Sequence, residues 1–518
     1  MSLIKKRRWM PFMIFQGETT NSSYRADRCR TGVFLLASGY FIFLFLVNLK
    51  RYSGNANIHD LFIFENAMWN TLHGRIFWSF YEFGNHLGVH FSPGLFLLVP
   101  FYALVQHPFT LLFLQSLAVA ASGIVLYYLG LKVLDDQISA FLLSLSFCLS
   151  PAVLGTAFSG FHAVVFVLPF LFLLFLAHEK GDKTMLALFT VTCLLWRETI
   201  VFPLLIWGAV LLLKKNTKDR GLIVFLISLA WGVWAFFILM PLIRGTSVTE
   251  GLMQYRFPRE IGHSPGEIIS NFFRNPGLFF HYVFQWEKIA YLVFLFGSLL
   301  FLPLISPLTV LPILPVLAQN LLSRYGLGAS LQKHYSAAII PFLVYAAMLS
   351  IHKIASKYAT RGKEPEKIKR LLCGMVIIAS LMFLIPSDVF DTFILGRVPE
   401  ADKIHQLSPG ELRVAKEMGE EVPEEASLAA AGHLAKYFAR RRVICFINKG
   451  FLKIFPFDYL LYFAPEPKYD LFSNNPELAG MLEEKYTLLK KEGRLRLYKR
   501  KPVQYTREEA GIIKAVPE

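Results

Sequence analysis

Long apolar runs recur along the chain, and short polar segments separate them. Each longer run is close to the roughly 20 residues that an α-helix needs to cross a bilayer. The longer runs are residues 33–49, 109–131, 138–156, 161–177, 221–243, 289–306, 336–352 and 371–386. Three shorter runs, bounded by charged residues or proline, are 184–196, 200–213 and 309–322. The pattern predicts a polytopic α-helical membrane protein with about eleven transmembrane helices.

One apolar segment, "GLFLLVPFYALVQ" at 94–106, decides on which side of the membrane each later loop lies. It is short for a crossing and has Pro100 at its centre, which interrupts a helix. We therefore predict a re-entrant or interfacial helix rather than a span. The remaining odd number of crossings places the N-terminus and the tail on opposite sides.

Composition and charge agree with a membrane location. Hydrophobic residues make up 54% of the chain and charged residues only 17%, against about 25% charged in soluble domains. Of the net charge of +16, residues 1–32, 214–220 and 352–370 together carry +13, and all three flank apolar runs. Positively charged loops are retained on the inner side of a membrane. The distribution predicts an integral protein of the cell membrane with a basic, cytoplasmic N-terminal segment at 1–32, and it gives no reason to expect a nucleic-acid partner.

This arrangement gathers the long, chemically varied loops on the outer face of the membrane. They are 50–108, 157–160, Arg197–Glu198, 244–288, 323–335 and the tail from residue 387. The inner face receives short connections and most of the positive charge. We therefore expect the chemistry of this protein at the outer face.

The tail, residues 387–518, is polar and differs from the transmembrane region at 33–386. The runs "RVICFI" and "DYLLYF" are typical of strands, and "YTLLKKEGRLRLYKR" at 486–500 predicts two strands around a Glu-Gly turn. Helix-like "PGELRVAKEMGEE" and "PELAGMLEEKY" lie between them. The tail therefore predicts a small extracytoplasmic α/β domain.

Two carboxylates stand out in "NIHDLFIFENAMWN", the stretch that follows the first apolar run. In a helix, Asp60 and Phe64 lie on one face, whereas Glu65 shares a stripe with Leu61 and Trp69. One interpretation is an interfacial helix whose acids face water. The other is that Asp60 points into a cavity under the helix.

Histidines in the outer loops are candidate metal ligands or partners of the acids. In "GNHLGVHFSPG", His86 and His90 are four residues apart, a spacing that can ligate a metal ion, although structural histidines fit equally well. A third histidine, His162, lies in "SGFHA" just inside a short outer turn. The candidate ligands of a divalent metal are Asp60, His86, His90 and His162.

An arginine and a glutamate stand together in "LWRET". Arg197 and Glu198 are either two interface anchors of opposite charge, or Glu198 faces the same cavity as Asp60. Ionisable groups at membrane depth are costly to desolvate and mark functional sites.

Cations on the same face could bind a phosphate or pyrophosphate or could be ordinary interfacial side chains. They lie in "QYRFPRE", with Arg256 and Arg259, and in "LQKHYSA", with Lys333, His334 and Tyr335. No Walker-type loop, GxGxxG motif or Gly-x-Ser-x-Gly motif occurs, so a nucleotide cofactor is not expected.

Several of these motifs follow one another in an order that is typical of one protein family. The stretches are "HDLFIFENAMWNTLHGRIF", "HFSPGLFLLVPFYAL", "FLQSLAVAASGIVLYYL", "GFHAVVFVLPFLFLL", "LWRE", "SPLTVLPILPVLAQNLLS" and "HYSAAIIPFL". Together they resemble an uncharacterised family of prokaryotic polytopic membrane proteins, known only as a domain of unknown function. The match covers roughly residues 55–350, and "EEASLAAAGHLAKYFARR" in the tail is similar to the end of that family.

That family in turn distantly resembles the GT-C glycosyltransferases, which use lipid-linked sugar donors. The resemblance implies a catalytic acid in the first outer loop, the position that Asp60 occupies, with 94–106 as a juxtamembrane helix. Many members carry a second acid in the second outer loop, where this chain has "AFSGFH" and His162 instead. The resemblance makes Glu198 the substitute for that acid. Glu65 stands where the nearer family has glutamine, which favours a supporting role in substrate binding.

The resemblance implies a membrane glycosyltransferase of the GT-C type, with a polyprenyl-phosphate sugar as donor and a glycan, lipid or protein as acceptor. Asp60 would be the general base, and Glu198, with His90 and His162, would orient the acceptor or hold a divalent metal. Lys333 and His334, with Arg256 or Arg259, would stabilise the leaving phosphate. Two other functions remain open: a transporter or flippase of a lipid-linked or polar solute, and a non-catalytic scaffold for envelope assembly.

Overall fold

The computed structural model describes residues 20–53, 59–244, 257–262, 264–324, 328–397, 407–465, 470–502 and 516. Most of this chain is helical. The α-helices are α1 (Thr20–Ser53), α2 (His59–Leu72), α3 (His86–Val89), α4 (Val99–Leu104), α5 (Pro108–Leu134), α6 (Gln137–Leu149), α7 (Pro151–Phe158), α8 (Val167–Lys180), α9 (Lys183–Leu194), α10 (Val201–Leu212), α11 (Lys218–Trp234), α12 (Met240–Arg244), α13 (Pro265–Arg274), α14 (Pro276–Val283), α15 (Trp286–Gly297), α16 (Pro307–Val310), α17 (Leu314–Leu322), α18 (Ile340–Ala359), α19 (Pro365–Leu384), α20 (Pro409–Glu420), α21 (Lys449–Ile454) and α22 (Pro476–Lys485).

The strands form two sheets. They are β1 (Trp78–Ser79), β2 (Gly84–Asn85), β3 (Leu428–Ala430), β4 (Ile444–Phe446), β5 (Tyr459–Phe463), β6 (Tyr486–Glu492) and β7 (Leu495–Arg500). The first two make a short antiparallel pair, and the other five make a mixed sheet in the order β4-β3-β5-β7-β6.

Within the described residues, four helical segments are long and apolar enough to cross a membrane. They are Arg28–Ser53, Pro108–Leu134, Ala163–Lys180 and Lys215–Arg244, and the bent pair of α6 and α7, with a 50° angle, makes a fifth if it counts as one span. Shorter apolar segments are Lys183–Leu194, Glu198–Leu212 and Pro307–Leu322. The chain is thus a polytopic helical membrane protein, while the number of eleven crossings stays a prediction.

Several apolar runs that the sequence presents as continuous are broken in the structure. The run 138–156 bends where Ser150 adopts an extended conformation before Pro151, because a residue before proline disfavours the helical region. The run 289–306 ends as helix at Gly297, after which Leu300 and Phe301 both take a positive φ of 55°. Segment 94–106 divides into a short 3₁₀ turn and α4, in agreement with a segment that does not cross.

The helical bundle is centred on α5, which packs against α1, α6 and α8. Large, fully buried side chains of the bundle include phenylalanines on α6, α7, α8 and α18: Phe147, Phe158, Phe172, Phe175 and Phe342. Close aromatic contacts join them, for example Phe175 to Phe342 with ring centroids 5.0 Å apart. This packing fixes the positions of the helix ends that carry the residues of the candidate site.

The C-terminal sheet confirms the strands and helices predicted from the tail. Its β6–β7 hairpin turns at Gly493, which has a φ of +56° and therefore suits glycine. Strand β3 runs parallel to both β4 and β5, and β7 runs antiparallel to β5 and β6. Alternate residues face opposite sides of the sheet, so two separate apolar layers cover its faces.

The loop after α1 completes both layers of this domain. Phe62 and Ile63 of α2 pack into the layer that contains Phe446, and Trp78 and Phe80 pack into the layer on the other face. The amide nitrogen of Asn66 also donates to the carbonyl oxygens of Ala439 and Arg441, both at 2.8 Å. The C-terminal domain is therefore joined to α2 through its own core.

Candidate functional site

Helix α2 is held between the C-terminal domain and the bundle, and this fixes Asp60 in its first turn. On the bundle side, Phe64 meets Phe161 edge to face, with ring centroids 5.0 Å apart. The carboxylate of Asp60 is 45% exposed, and its Oδ2 lies 3.5 Å from Nε2 of the buried His162. Asp60 is therefore half-exposed and contacts the bundle through His162.

The loop before α18 brings a second histidine to the same place. A Cβ on Gly155 of α7 would lie 1.7 Å from the carbonyl oxygen of Leu331, so only glycine allows this loop to approach so closely. Three residues on, the ring of His334 stacks on that of His162, with centroids 3.5 Å apart and planes inclined by 28°. Two imidazoles and the Asp60 carboxylate thus share one small volume.

The "LWRE" segment approaches from a third direction. The backbone N–H of Gly94 donates to Leu195 at 2.8 Å, and the Trp196 ring occupies the space that a Cβ on Gly94 would fill. Arg197 then reaches into the site. Its Nη1 lies 3.4 Å from Nε2 of His334, and its Nη2 lies 3.3 Å from both ring nitrogens of His90.

Glu198 completes a continuous set of polar contacts. Its carboxylate is 8% exposed, with Oε1 3.3 Å from Nδ1 of His90 and 3.8 Å from Nε of Arg197. We call Asp60, His162, His334, Arg197, His90 and Glu198 the polar cluster. Burial opposes ionisation of Glu198, but His90 and Arg197 lower its pKa to about 2. Burial and Arg197 lower the pKa of His90, although Glu198 opposes the shift. Arg197 is the permanently charged partner of Glu198.

The two stacked histidines are neutral at neutral pH. Burial lowers the pKa of His162 to about 4, although Asp60 opposes the shift. Burial, His162 and Arg197 lower the pKa of His334 well below its ordinary value. A neutral imidazole keeps a lone pair on one ring nitrogen, so both rings can accept a proton or ligate a metal ion.

Among the described residues, one group has ligand atoms close enough to hold a metal ion: Asp60, His162 and His334, within 4.8 Å of one another. Asp60 and His162 are predicted metal ligands, whereas His334, a predicted phosphate-binding residue, takes the place of His86 and His90. Instead, Nδ1 of His86 lies 2.8 Å from Oε2 of Glu82, and the ring of His90 contacts Arg197 and Glu198. Two imidazoles and one carboxylate are a usual donor set for a first-row divalent ion, so the residues fit a metal.

The predicted phosphate-binding residues are only partly at this place. Lys333 is half-buried beside His334, and its charge contributes to the lowered pKa values of His162 and His334. The Tyr335 ring lies 4.2 Å from that of His334. Arg259 is exposed on a separate loop, and Arg256 lies outside the described residues.

Glu65 is buried on another side of α2. Glu65 lies five positions after Asp60, which rotates its side chain by about 140° around the helix axis. It is 2% exposed and lies near Tyr52, Tyr102 and Arg440. Burial raises the pKa of Glu65 to about 8, and Arg440 offsets part of this rise.

We expect Glu65→Gln to flatten the dependence of stability on pH. The folded state holds a proton on Glu65 up to about pH 8, whereas the unfolded chain releases it near pH 4.3. Stability should therefore fall as pH rises between these values, by at most about 5 kcal/mol, and level off above pH 8. The glutamine variant should melt at a higher temperature than wild type at pH 8 and at a similar one at pH 5.

The matched control is Glu417→Gln, because the Glu417 side chain is 58% exposed. Its melting temperature should follow that of the wild type at both pH values. Equal melting temperatures of wild type and Glu65→Gln at pH 8 would contradict the raised pKa.

Sequence reasoning missed the central position of Arg197. The signal was present, since Arg197 precedes Glu198 in a segment placed on the same face as Asp60. Its contacts to His90 and His334, however, join residues 107 and 137 positions apart. Such contacts depend on how the helices pack, which the spacing of one segment does not reveal.

Comparison with known proteins gives a family and a weak structural similarity. A search of curated proteins found no match. Among solved structures, the chain is similar to the crystal structure of ArnT from Cupriavidus metallidurans, in which ArnT is bound to undecaprenyl phosphate. The TM-score is 0.47 at 12% identity, over 90% of this chain and 98% of that chain.

The family match covers most of the chain and includes the polar cluster. A family model described as predicted membrane protein (DUF2079) matches residues 51–482. That range extends from the end of α1 into the C-terminal domain and contains all six residues of the cluster. The chain belongs to this DUF2079 family of membrane proteins.

Proposed function

We propose that this protein is a membrane glycosyltransferase of the GT-C type. It would transfer a sugar from a polyprenyl-phosphate donor to an acceptor hydroxyl at the outer face of the membrane. The observation that carries the proposal is the contact of a half-exposed carboxylate, Asp60, with a buried cluster that contains the cation Arg197. Membrane location suits this chemistry because it concentrates a lipid donor and excludes water that would hydrolyse it.

Asp60 acts as the general base in this mechanism. The acceptor oxygen attacks the anomeric carbon of the donor sugar, and its proton passes to the Asp60 carboxylate. The new bond joins the acceptor oxygen to that carbon while the bond from carbon to phosphate oxygen breaks. Neutral His162, 3.5 Å from Oδ2, holds the carboxylate in position.

Positive charge stabilises the leaving phosphate. The electron pair of the broken bond remains on the phosphate oxygen, and we assign Arg197 and Lys333, the two cations near His334, to stabilise that charge. Arginine binds phosphate through two parallel hydrogen bonds, and preorganised donors at the developing charge lower the barrier. Glu198 and His90 fix the guanidinium through the contacts described above, and Arg259 or Arg256 is a further candidate for the phosphate.

A divalent metal ion also fits this site, held by Asp60, His162 and His334. When bound, such an ion would supply Lewis-acid stabilisation of the phosphate oxygens. We expect the purified protein to retain a first-row divalent metal, measured by elemental analysis. His334→Ala should lose that metal, whereas His281→Ala, on α14, should keep it. An equal metal content in the wild type and His334→Ala would contradict this assignment.

Reconstituted membranes test the function directly. Proteoliposomes that contain the full chain and a radiolabelled polyprenyl-phosphate sugar should give labelled product that no longer carries the lipid. Movement of intact donor across the bilayer would instead indicate a transporter or flippase. Absence of both donor binding and product would indicate a scaffold.

The proposed orientation places the C-terminal domain outside and the N-terminus inside. A cysteine introduced by Lys491→Cys on exposed β6 should react with a membrane-impermeant thiol reagent in whole cells. The unmodified chain is the control for its five native cysteines. It should react weakly, because four of them are buried. Labelling only after cell lysis would show that the C-terminal domain lies inside, opposite to the proposed orientation.

A further inference from the structure

The C-terminal domain contains a cavity of about 170 Å³ that lies apart from the polar cluster. Its walls are formed by α21, α22 and the ends of β6 and β7, and all its lining residues belong to this domain. Phe455 in one wall packs on Phe80 of the first loop, with ring centroids 4.7 Å apart. The Asp60 chemistry does not use this cavity.

Cations outnumber acids around the opening. Lys453, Lys485 and Arg500 line it together with a single acid, Glu477. The Glu477 carboxylate lies 2.5 Å from Nζ of Lys453 and 3.7 Å from Nζ of Lys449, so one negative charge is shared between two ammonium groups. The cavity therefore has a net positive charge.

The remaining walls are apolar and firmly placed. Leu478 is fully buried and Phe455 is nearly so. The hydroxyl of Tyr486 donates to the carbonyl oxygen of Phe457 at 2.9 Å, which fixes the orientation of the tyrosine ring in the wall. The cavity thus combines a cationic rim with an apolar and aromatic surface.

We propose that this cavity binds a phosphoryl group carried on a unit of about one sugar ring. An engineered cavity of about 150 Å³ holds one benzene molecule, so the volume of about 170 Å³ suits one small ring, with an attached phosphoryl group at the cationic opening. A phosphate monoester carries a charge of about −1.5 to −2 near pH 7, which complements the excess of cations. The apolar wall contacts the carbon face of the ring, while Arg500 and Lys453 bind the phosphate oxygens.

Calorimetry on the detergent-solubilised full chain tests this site with three probes: glucose 6-phosphate, glucose and inorganic phosphate. We expect glucose 6-phosphate to bind more tightly than inorganic phosphate, and glucose not to bind. Lys453→Gln and Arg500→Gln should each weaken glucose 6-phosphate binding by about tenfold or more, because each removes a charge-assisted hydrogen bond.

Lys499→Gln is the matched control. Lys499 is exposed on β7 next to Arg500, with its ammonium over the Tyr459 ring, and this variant should bind as the wild type does. If Arg500→Gln does not fold, Lys453→Gln alone decides, since the Lys453 side chain is 41% exposed. No binding of glucose 6-phosphate, unchanged binding in Lys453→Gln, or equal binding of glucose would overturn the proposal.

Discussion

Replacing Asp60 with asparagine is expected to lower the rate of sugar transfer in reconstituted membranes by about 10²–10⁴-fold, the usual contribution of a general base. Asparagine keeps the size of the side chain but cannot take the proton of the acceptor hydroxyl. Donor binding should change little, because Arg197 and Lys333 remain. The loss should therefore appear in the turnover number rather than in the apparent donor affinity.

A control for this variant is Asp135→Asn, the same substitution at the residue that follows α5. Asp135 is exposed and has a φ of 51°, a conformation that asparagine adopts readily. This variant should transfer sugar at the wild-type rate. Full activity of Asp60→Asn would remove Asp60 from the role of base, even if the protein proved to be a glycosyltransferase.

The second large effect is expected at Arg197. Arg197→Gln should remove the cation that stabilises the leaving phosphate, and the rate should fall by about 10²–10³-fold. It should also destabilise the protein by about 3–5 kcal/mol, because Glu198 would remain buried without a compensating charge. Transfer assays and thermal unfolding measure the two effects separately.

A double variant separates catalysis from stability. Arg197→Gln with Glu198→Gln removes both charges, so the melting temperature should return toward the wild-type value while transfer remains lost. Arg413→Gln, at a side chain that is 79% exposed, should change neither. Recovery of transfer in the double variant would show that Arg197 serves only to balance Glu198.

The C-terminal domain was largely predictable because its signals are local. The hairpin of β6 and β7 follows from an alternating pattern around Gly493, and α20 has a capping box in which Ser408 and Glu411 bond to each other's backbone. Neither feature depends on the rest of the chain. The insertion of Phe62 and Trp78 into this domain was not predictable, because an apolar residue after a membrane span fits a lipid contact equally well.

The site was predictable only as a set of candidates on one face. Charge distribution placed Asp60, His90, His162 and Glu198 on that face, and the structure brings all four into one cluster. The stacking of His162 on His334 depends on the close approach at Gly155, which joins segments far apart in the chain. Glu65 shows the converse, since helical spacing separated it from the face of Asp60 in advance, whereas its burial near Tyr102 and Arg440 depends on tertiary packing.

A cryo-electron microscopy structure of the full chain in lipid with a bound polyprenyl-phosphate sugar would show whether Asp60 and Arg197 face the donor. We expect the donor phosphate to lie against Arg197 and Lys333, with the anomeric carbon facing the Asp60 carboxylate. A donor phosphate bound away from Arg197, with Asp60 remote from the sugar, would contradict this expectation.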